Sequence, residues 1–230
     1  MDAVILAGGL GTRLRPFTEV LPKPLLPLGD RSILEHQLVS LQEAGATDVY
    51  IATNYLSHLI EAFLGDGSRL GLKIHISKET SPLGTAGPIK LLERELQSPF
   101  LVMNGDIVTK LDFKRFHDFG SREDSLLTVG TKIITTPFRF GNVTTENGYI
   151  TGVEEKPDFK LEIVAGMYCM SPGIMKFIPA DTYFGIDQLI KALLRAGERI
   201  SRFLIEDYWL DIGQVEDYSK AREMFKQTGK

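Results

Sequence analysis

The sequence predicts an α/β fold in which a doubly wound, mixed but mostly parallel sheet is covered by helices on both faces. Two observations support this prediction. Short apolar runs such as 3–7 and 100–104 end abruptly at glycine or polar residues, as strands buried on both faces do. Segments with apolar residues at helical spacing, such as 33–44, separate these runs, and the alternation continues as far as Leu111.

Local signals support the individual elements in turn. Ser32 is a candidate N-cap for the first helix, and Gly45 is its stop signal. Within this helix, Ile33, Leu34, Gln37, Leu38 and Leu41 recur at helical spacing. Pro88 is compatible with a helix only in the first turn. Asn147-Gly148 is typical of a type I′ hairpin turn. The predicted strands are 3–7, 48–53, 73–77, 100–104, 125–133, 141–145, 149–155, 163–170 and 201–206, and the predicted helices are 33–44, 57–64, 84–96, 113–119, 187–196 and 215–226.

Composition is typical of a single globular domain. The chain of 230 residues is 43% hydrophobic and 24% charged, and its net charge of −4 argues against nucleic-acid binding, which needs a basic face. Cys169 is the single cysteine and lies in an apolar run, which favours a buried structural thiol over a nucleophile and suits a reducing compartment. The four histidines show no zinc-ligand spacing. Without a basic leader or an apolar run of about 18 residues, we expect a cytoplasmic protein that does not contact membranes.

A glycine-rich loop follows the first strand and carries Gly8, Gly9 and Gly11. Glycines allow positive φ and bring bare N–H groups close to an anion. Arg13 and Lys23 add positive charge suited to a polyphosphate. The dinucleotide fingerprint does not fit because its third glycine would fall on a leucine, and no Walker loop is present. The alternative for the glycines alone is an ordinary solvated turn, but the whole pattern favours a triphosphate-binding loop.

Two aspartates end apolar segments. Asp106 follows the strand 100–104, and Asp211 follows 208–210. Ligands of open α/β sheets lie beyond the carboxyl ends of strands, and a carboxylate facing a triphosphate needs a cation between them. Mg²⁺ is the usual cation, held by one or two carboxylates and phosphate oxygens. The alternative for each aspartate alone is a turn former or helix cap.

Motifs along nearly the whole chain resemble those of the sugar-1-phosphate nucleotidyltransferases. This family condenses a nucleoside triphosphate with a sugar 1-phosphate, giving a nucleotide sugar and pyrophosphate. The motifs are Gly8-Gly9-Leu10-Gly11-Thr12-Arg13-Leu14-Arg15-Pro16, Pro22-Lys23-Pro24-Leu25, Pro82-Leu83-Gly84-Thr85-Ala86-Gly87-Pro88, Asn104-Gly105-Asp106, Glu154-Glu155-Lys156-Pro157, Ala165-Gly166 and Trp209-Leu210-Asp211-Ile212-Gly213. The resemblance implies a Rossmann-like fold with a sugar-binding insertion. Residues 1–106 would be mainly nucleotide-binding, 107–207 mainly sugar-binding, and 208–230 would supply a metal-binding strand end and the terminal helix.

The resemblance also implies a set of site residues. Asp106 and Asp211 would hold Mg²⁺, and Arg13, Lys23 and Lys156 would be catalytic. We expect Pro157 to restrict Lys156 to extended geometry and so to set its direction. The nucleotide-binding residues would be Leu6, Ala7, Gly8, Gly9, Gly11, Thr12, Arg13, Lys23, Glu79, Pro82, Gly84 and Thr85. The residues that bind the sugar phosphate would be Asn104, Gly105, Gly141, Glu155, Lys156 and Gly166.

Glu79 is the residue expected to select the base. In relatives that use thymidine or uridine triphosphates, glutamine is usual where Glu79 aligns. Glutamate offers only acceptors, which suits the adjacent N1–H and N2–H₂ donors of guanine. The segment 82–88 also looks closer to mannose-1-phosphate guanylyltransferases than to thymidylyltransferases. The sequence therefore predicts GTP, with UTP, dTTP and CTP as alternatives.

The sugar and the assembly are less determined. The short chain, with no left-handed β-helix extension, resembles compact guanylyltransferases for mannose, heptose or amino-sugar phosphates. Val164 stands where many relatives carry asparagine, and the segment 184–188 is less acidic than usual, which argues against an amino sugar. An unusual or deoxygenated sugar stays open. A homodimer also stays open. Two other functions are disfavoured. A silent nucleotide-sugar sensor would have lost charged site residues, and all of them are present here. A cytidylyltransferase for a non-sugar phosphate does not fit the intact motifs 155–157 and 209–213.

Overall fold

The computed structural model describes residues 1–122 and 124–228, with side chains as far as Phe225. In this part of the chain the strands are β1 (Asp2–Leu6), β2 (Pro27–Leu28), β3 (Arg31–Ser32), β4 (Asp48–Thr53), β5 (Lys73–Lys78), β6 (Phe100–Asn104), β7 (Ile107–Thr109), β8 (Leu127–Pro137), β9 (Asn142–Glu146), β10 (Tyr149–Glu154), β11 (Asp158–Met170), β12 (Ile200–Leu204) and β13 (Trp209–Asp211). The α-helices are α1 (Ile33–Glu43), α2 (Ser57–Leu64), α3 (Gly87–Lys90), α4 (Phe113–Arg122), α5 (Ile186–Arg195) and α6 (Val215–Thr228). Short 3₁₀ turns lie at Thr12–Leu14, Phe17–Glu19, Lys23–Leu25, Ser68–Leu70 and Pro172–Phe177.

The described strands form a central seven-stranded sheet in the order β12-β8-β11-β6-β1-β4-β5. Every pair in it is parallel except the two pairs made by β11, which runs antiparallel to β6 and to β8. The predicted mixed, mostly parallel, Rossmann-like sheet is therefore confirmed. Residues 107–207 contribute three of these strands, so this region continues the central sheet as well as carrying the β9–β10 hairpin.

Apolar layers cover both faces of the sheet. One core packs α1 and α4 against alternate side chains of β1, β4 and β6, and the other packs α5 and the segment around α3 against the opposite face. Strand β1 shows the consequence most clearly, because Ala3, Val4 and Ile5 are all 0% exposed. The carboxyl ends of β1, β4, β5 and β6 meet at one edge, which is where ligands bind in such sheets.

Two predicted local signals are confirmed. Ser32 caps α1 through a complete capping box with Glu35, whose backbone N–H donates to Ser32 Oγ over 3.1 Å. The β9–β10 hairpin turns at Asn147 and Gly148, which have φ of 49° and 85°, and positive φ at both central residues is the mark of a type I′ turn.

The predicted helix over 84–96 is wrong in its extent. The α-helical part is Gly87–Lys90, and the chain then continues to Leu96 in turns. Gly84 has φ of +80°, and the backbone N–H groups of Ala86 and Gly87 both donate to the Phe184 carbonyl, over 2.9 and 3.0 Å. Because these groups bond a distant segment, residues 84–86 do not join a helix.

A separate two-stranded sheet, which was not among the predicted strands, lies beyond the end of β6. β7 and β13 have three residues each and pair antiparallel, with Ile107 opposite Asp211. The backbone N–H of Ile212 also donates to the carbonyl of Asp106 over 3.1 Å. This pairing brings residues from the two halves of the chain to the same place.

Gly84 provides a test of the turn before α3. A methyl group at Gly84 would lie 2.7 Å from the Phe184 carbonyl oxygen, whereas one at Gly45, with φ of +88°, meets nothing within 4 Å. We expect Gly45→Ala to lower the free energy of unfolding by about 1 kcal/mol through backbone strain alone. Gly84→Ala should cost about 3 kcal/mol because steric strain adds to it. Urea denaturation of both variants checks this, and equal losses would contradict the described contact.

Candidate active site

The centre of the candidate site is an ion pair between the first loop and the end of β6. Lys23 is buried in the 3₁₀ turn between Pro22 and Pro24, and its Nζ lies 2.5 Å from Asp106 Oδ2. Gly105, which precedes this aspartate, donates its N–H to the Leu6 carbonyl over 2.9 Å. The structure therefore places Lys23, predicted to bind the triphosphate, beside Asp106, predicted to hold the metal.

Asp211 lies beside this pair. Its position follows from the β7–β13 ladder, since Ile107, the residue after Asp106, pairs with Asp211. Burial and the nearby negative charge of Asp106 raise the pKa of Asp211, and the positive charges of Lys23 and Arg13 offset part of this effect. The two aspartates that the sequence analysis singled out are thus neighbours.

Each aspartate keeps one oxygen free. Asp106 Oδ1 and Asp211 Oδ1 are buried and have no hydrogen-bond partner. Buried carboxylate oxygens without partners are costly, and a hard cation satisfies them. Among the described residues, no group of three or more histidine, cysteine, aspartate or glutamate side chains could hold a metal. The pair of carboxylates fits Mg²⁺, which is bound through one or two carboxylates together with substrate phosphates.

The glycine loop presents backbone donors next to this pair. Within the described residues, none accepts a hydrogen bond from the backbone N–H groups of Gly8, Gly9 or Gly11. Gly11 has φ of +60°, and a methyl group there would lie 2.9 Å from the Thr18 side chain. Free N–H groups of this kind form an anion-binding concavity.

A small cavity lies between the loop and Asp106. It has a volume of about 40 Å³, room for little more than one water-sized group. Its lining residues are Leu6, Ala7, Gly9, Lys23, Pro24, Gly105 and Asp106. Thr12 and Arg13 are exposed at the outer side of the loop, and the Arg13 guanidinium approaches Gly213, just beyond β13.

Glu79 follows β5 and lies against the same loop. Its Oε2 accepts the Leu83 N–H over 2.8 Å, and a methyl group on Gly8 would lie 2.5 Å from its Oε1. Burial raises the pKa of Glu79. One carboxylate oxygen is therefore held by Leu83 while the other faces Gly8 of the glycine loop.

The remaining predicted nucleotide residues lie on the segment before α3. Pro82 is exposed, and Gly84 packs on the Phe184 backbone. Thr85 Oγ1 accepts the Ile186 N–H over 2.9 Å, which fastens this segment to the start of α5. The unusual segment 184–188 therefore has a structural use, because it supports the turn that follows Glu79.

Asn104, Gly105 and Gly166 come together at the end of β6. Gly166 has φ of +67° at a register shift in β11, and a methyl group there would lie 2.6 Å from Asn104 Nδ2. The Trp209 indole donates to the Ala165 carbonyl over 2.8 Å. Trp209 was not predicted as a site residue. Two features of the sequence could have identified it as one: Trp209 is the single tryptophan of the chain, and it lies two residues before Asp211.

The predicted sugar-reading residues of the hairpin lie apart on an exposed surface. A methyl group on Gly141 would lie 3.1 Å from Glu155 Oε2, so these two are neighbours. The Glu155 and Lys156 side chains are 71% and 68% exposed and 3.9 Å apart. Among the contacts of the described residues, none ties either side chain to the carboxylate pair, so the structure does not bring the two groups into one closed pocket.

The expectation of extended geometry at Lys156 is wrong. Its φ is +48°, in the left-handed region. The chain passes from β10 to β11 within three residues, and a positive φ at Lys156 makes this change of direction. Pro157 disfavours the right-handed helical region for the residue before it, and the chain takes the left-handed region instead of the extended one.

Cys169 is buried, as predicted from its apolar neighbours. Burial raises the pKa of its thiol to about 11, so this cysteine is a poor nucleophile.

No described helix has both the length and the apolar character needed to cross a bilayer.

Because burial and Asp106 disfavour the charged form of Asp211, we expect this carboxylate to lower the stability of the folded protein. The pKa of Asp211 in the folded protein lies above the ordinary value of 3.8. As the pH rises, the carboxyl therefore loses its proton in the unfolded chain before it does in the folded protein. The free energy of unfolding falls over the pH range between the unfolded and the folded pKa. We expect Asp211→Asn to raise the melting temperature of the metal-free protein at pH 7, with the gain vanishing below about pH 3.8. Thermal unfolding in EDTA measures this effect.

Asp207→Asn is the matched control for that experiment, because Asp207 is exposed just before β13. It should leave the melting temperature unchanged. A metal-free Asp211→Asn protein that melts below the wild type at pH 7 would show that the carboxylate is stabilising and would contradict this description.

Comparisons with known proteins agree with this geometry. The profile of the nucleotidyl transferase family matches residues 2–228. A mannose-1-phosphate guanyltransferase of Emericella nidulans is 35% identical over 227 residues, which are 95% of this chain and 62% of the fungal protein. The mannose-1-phosphate guanyltransferase beta-A of Xenopus laevis is 36% identical over 239 residues, covering 99% of this chain and 65% of that protein. The chain thus spans less than two thirds of the length of these curated relatives.

A solved structure shares the fold over almost its full length. HddC from Yersinia pseudotuberculosis, complexed with GMP-PN, superposes with a TM-score of 0.75 at 29% identity and covers 97% of this chain and 99% of that one. The profile match and the common fold together show that this chain belongs to the nucleotidyl transferase family.

Proposed function

We propose that this chain is the catalytic unit of a sugar-1-phosphate nucleotidyltransferase that uses GTP and forms a nucleotide sugar and pyrophosphate. One observation carries the proposal: Asp106 and Asp211 lie together with a free buried oxygen each, beside Lys23 and a loop of free N–H groups. This arrangement suits the transfer of a nucleotidyl group, in which several anions must be brought together. The family membership and the two guanyltransferase relatives support it.

Asp106 and Asp211 would hold Mg²⁺, since their unpartnered oxygens match its preferred ligands. When bound, the ion would neutralise phosphate charge next to the reacting phosphorus. The two carboxylates would otherwise repel the triphosphate. For Lys23, the ion pair with Asp106 means that its ammonium is already in place when substrate arrives.

The other residues would place the substrates. The N–H groups of Gly8, Gly9 and Gly11 would bind phosphate oxygens of the triphosphate. Arg13 and Lys23 would offset the charge of the departing pyrophosphate. An oxygen of the sugar phosphate attacks the α-phosphorus, a new P–O bond forms, and the bond from the α-phosphorus to the pyrophosphate oxygen breaks. The step needs alignment and charge neutralisation and no covalent intermediate.

Lys156 and Glu155 would act on the second substrate. The Lys156 ammonium would hold the phosphate of the incoming sugar, and the Glu155 carboxylate would accept hydrogen bonds from sugar hydroxyls. Both side chains are exposed and free to meet a ligand. Gly141 and Gly166 would allow the sugar to approach the backbone. The sugar phosphates to be tested first are hexose and heptose 1-phosphates, with mannose 1-phosphate among them because of the names of the relatives.

This assignment divides the chain into working regions. We propose that 1–106 binds mainly the nucleotide, 107–207 mainly the sugar, and 208–230 completes the metal site. The strand ends that carry the glycine loop and Glu79 belong to the first region, the β9–β10 hairpin to the second, and β13 to the third.

Glu79 supports GTP over the other triphosphates. One carboxylate oxygen is taken by the Leu83 N–H, and the other faces the glycine loop, where a base can reach it. The N1–H and N2–H₂ groups of guanine would donate to this carboxylate and stabilise its charged form, which burial disfavours. The GMP-PN complex of the similar Yersinia protein supports nucleotide binding by this fold.

Pyrophosphate release with each of the four triphosphates, measured across a panel of sugar 1-phosphates, tests the proposal. We expect turnover only when a sugar 1-phosphate is present, and kcat/KM for GTP at least about tenfold above the others, as a charged hydrogen-bond pair provides. A tenfold preference for UTP, dTTP or CTP would contradict the base assignment. Turnover without any sugar phosphate, or none with the whole panel, would contradict the reaction class.

Glu79→Gln tests the base-reading residue itself. Glutamine adds a donor where guanine presents donors, so kcat/KM for GTP should fall about 10- to 100-fold, since one charged hydrogen bond is lost and one repulsive contact is gained. The KM for the sugar phosphate should stay unchanged. Glu93→Gln, a change at an exposed glutamate after α3, is the matched control. A GTP preference that survives Glu79→Gln would remove this residue from the role.

A further inference from the structure

Gln37 is a buried amide among the apolar residues of α1. Its side chain is 4% exposed, and Leu34, Leu38 and Leu41 on the same side of the helix are each 0% exposed. A buried amide is costly unless it is hydrogen-bonded within the protein; here the NH₂ group makes two such bonds, and Oε1 has no partner. The partners of Gln37 therefore explain why a polar residue stands at a core position.

Both partners belong to the turn that carries Asp106. Gln37 Nε2 donates to the Asn104 carbonyl over 2.9 Å and to the Ile107 carbonyl over 2.8 Å. Because both partners are acceptors, the amide must present its NH₂ group to the turn, and this fixes its orientation. One side chain thus ties together the two ends of the segment Asn104-Gly105-Asp106-Ile107.

Other bonds hold the middle of the same segment. Gly105 donates to the Leu6 carbonyl at the end of β1, and the Asp106 carbonyl accepts the Ile212 N–H just beyond β13. The turn is therefore held from three sides, by the first strand, by β13 and by Gln37 of α1. The direction of the Asp106 carboxylate follows from the backbone of this turn, since the side chain has few rotatable bonds of its own.

We propose that Gln37 is a positioning residue that orients the Asp106 carboxylate toward the divalent cation. This inference rests on the proposed function, in which Asp106 and Asp211 hold that cation. Gln37 acts through Asp106: its NH₂ group bonds the backbone on both sides of the carboxylate, while Asp106 Oδ2 is taken by Lys23 and Oδ1 is left free for the ion. Groups that orient metal ligands in this way affect metal affinity strongly.

Gln37→Met tests the role, because methionine keeps the length of the side chain and removes both donors. The readout is the affinity of the purified protein for Mn²⁺ alone, followed by the electron paramagnetic resonance signal of the free ion. We expect Mn²⁺ to bind about tenfold more weakly than to the wild type. In turnover assays the Mg²⁺ concentration for half-maximal rate should rise by a similar factor, while the KM for the sugar phosphate stays unchanged.

Leu41→Ala is the matched control, since it removes buried volume from the same helix face and cannot hydrogen-bond to the turn. It should lower the melting temperature and leave Mn²⁺ affinity unchanged. Gln37→Glu keeps the length of the side chain but turns acceptors toward both carbonyls. Gln37→Glu should weaken Mn²⁺ binding at least as much as Gln37→Met does. It is the variant to measure if Gln37→Met does not fold.

The outcomes separate this inference from the function it rests on. Wild-type affinity for Mn²⁺ in either Gln37 variant would overturn the positioning role, as would an equal loss of affinity in Leu41→Ala. If Asp106→Asn binds Mn²⁺ as tightly as the wild type, the proposed metal site itself is wrong, and the role of Gln37 falls with it.

Discussion

Pairing of β7 with β13 places two carboxylates next to each other that are far apart in the sequence. The ladder sets Ile107 opposite Asp211, and the Ile212 N–H bonds the carbonyl of Asp106. Bringing these like charges into a partly buried place is unfavourable, as the raised pKa of Asp211 shows. Lys23 and Arg13 offset part of this cost. Ionisable groups whose pKa is shifted by burial and by a specific charged neighbour are typical of functional sites.

The two sides of the site differ in how far they are already formed. On the proposed phosphate side, the glycine loop, Glu79 and Asp106 each follow a strand of the central sheet and are fastened by hydrogen bonds. The proposed sugar side is open, with Glu155 and Lys156 exposed at the base of a hairpin. A preformed side would suit a triphosphate that is common to many reactions, and we propose that the open side selects the second substrate.

Sequence reasoning succeeded where the signal was local. The N-cap at Ser32, the Asn147-Gly148 turn and the buried run of β1 each depend on neighbours in the chain, and all three are confirmed. The helix over 84–96 was overestimated because a distant carbonyl, that of Phe184, takes the N–H groups of the segment before α3. β7 and β13 have three residues each, too few to show an alternating pattern, so their pairing was not predictable from periodicity. The left-handed Lys156 likewise depends on where the next strand lies.

The motifs predicted most residues of the candidate site, but they did not predict which of these residues contact one another. Asp106 and Asp211 are close because β7 pairs with β13, and this pairing was not predicted. The hydrogen-bond partners of Gln37 are backbone carbonyls, which no sequence motif can predict.

The proposal that Asp106 and Asp211 hold a catalytic cation is tested most directly by the rate of pyrophosphate formation by the double variant Asp106→Asn, Asp211→Asn. It would be compared with the wild type and with the exposed control Asp207→Asn at saturating GTP, Mg²⁺ and sugar phosphate. We expect a loss of at least about 10³-fold for the double variant, because charge stabilisation at the reacting centre is removed, and no loss for the control. A double variant that turns over at the wild-type rate would show that the two carboxylates do not hold a catalytic cation.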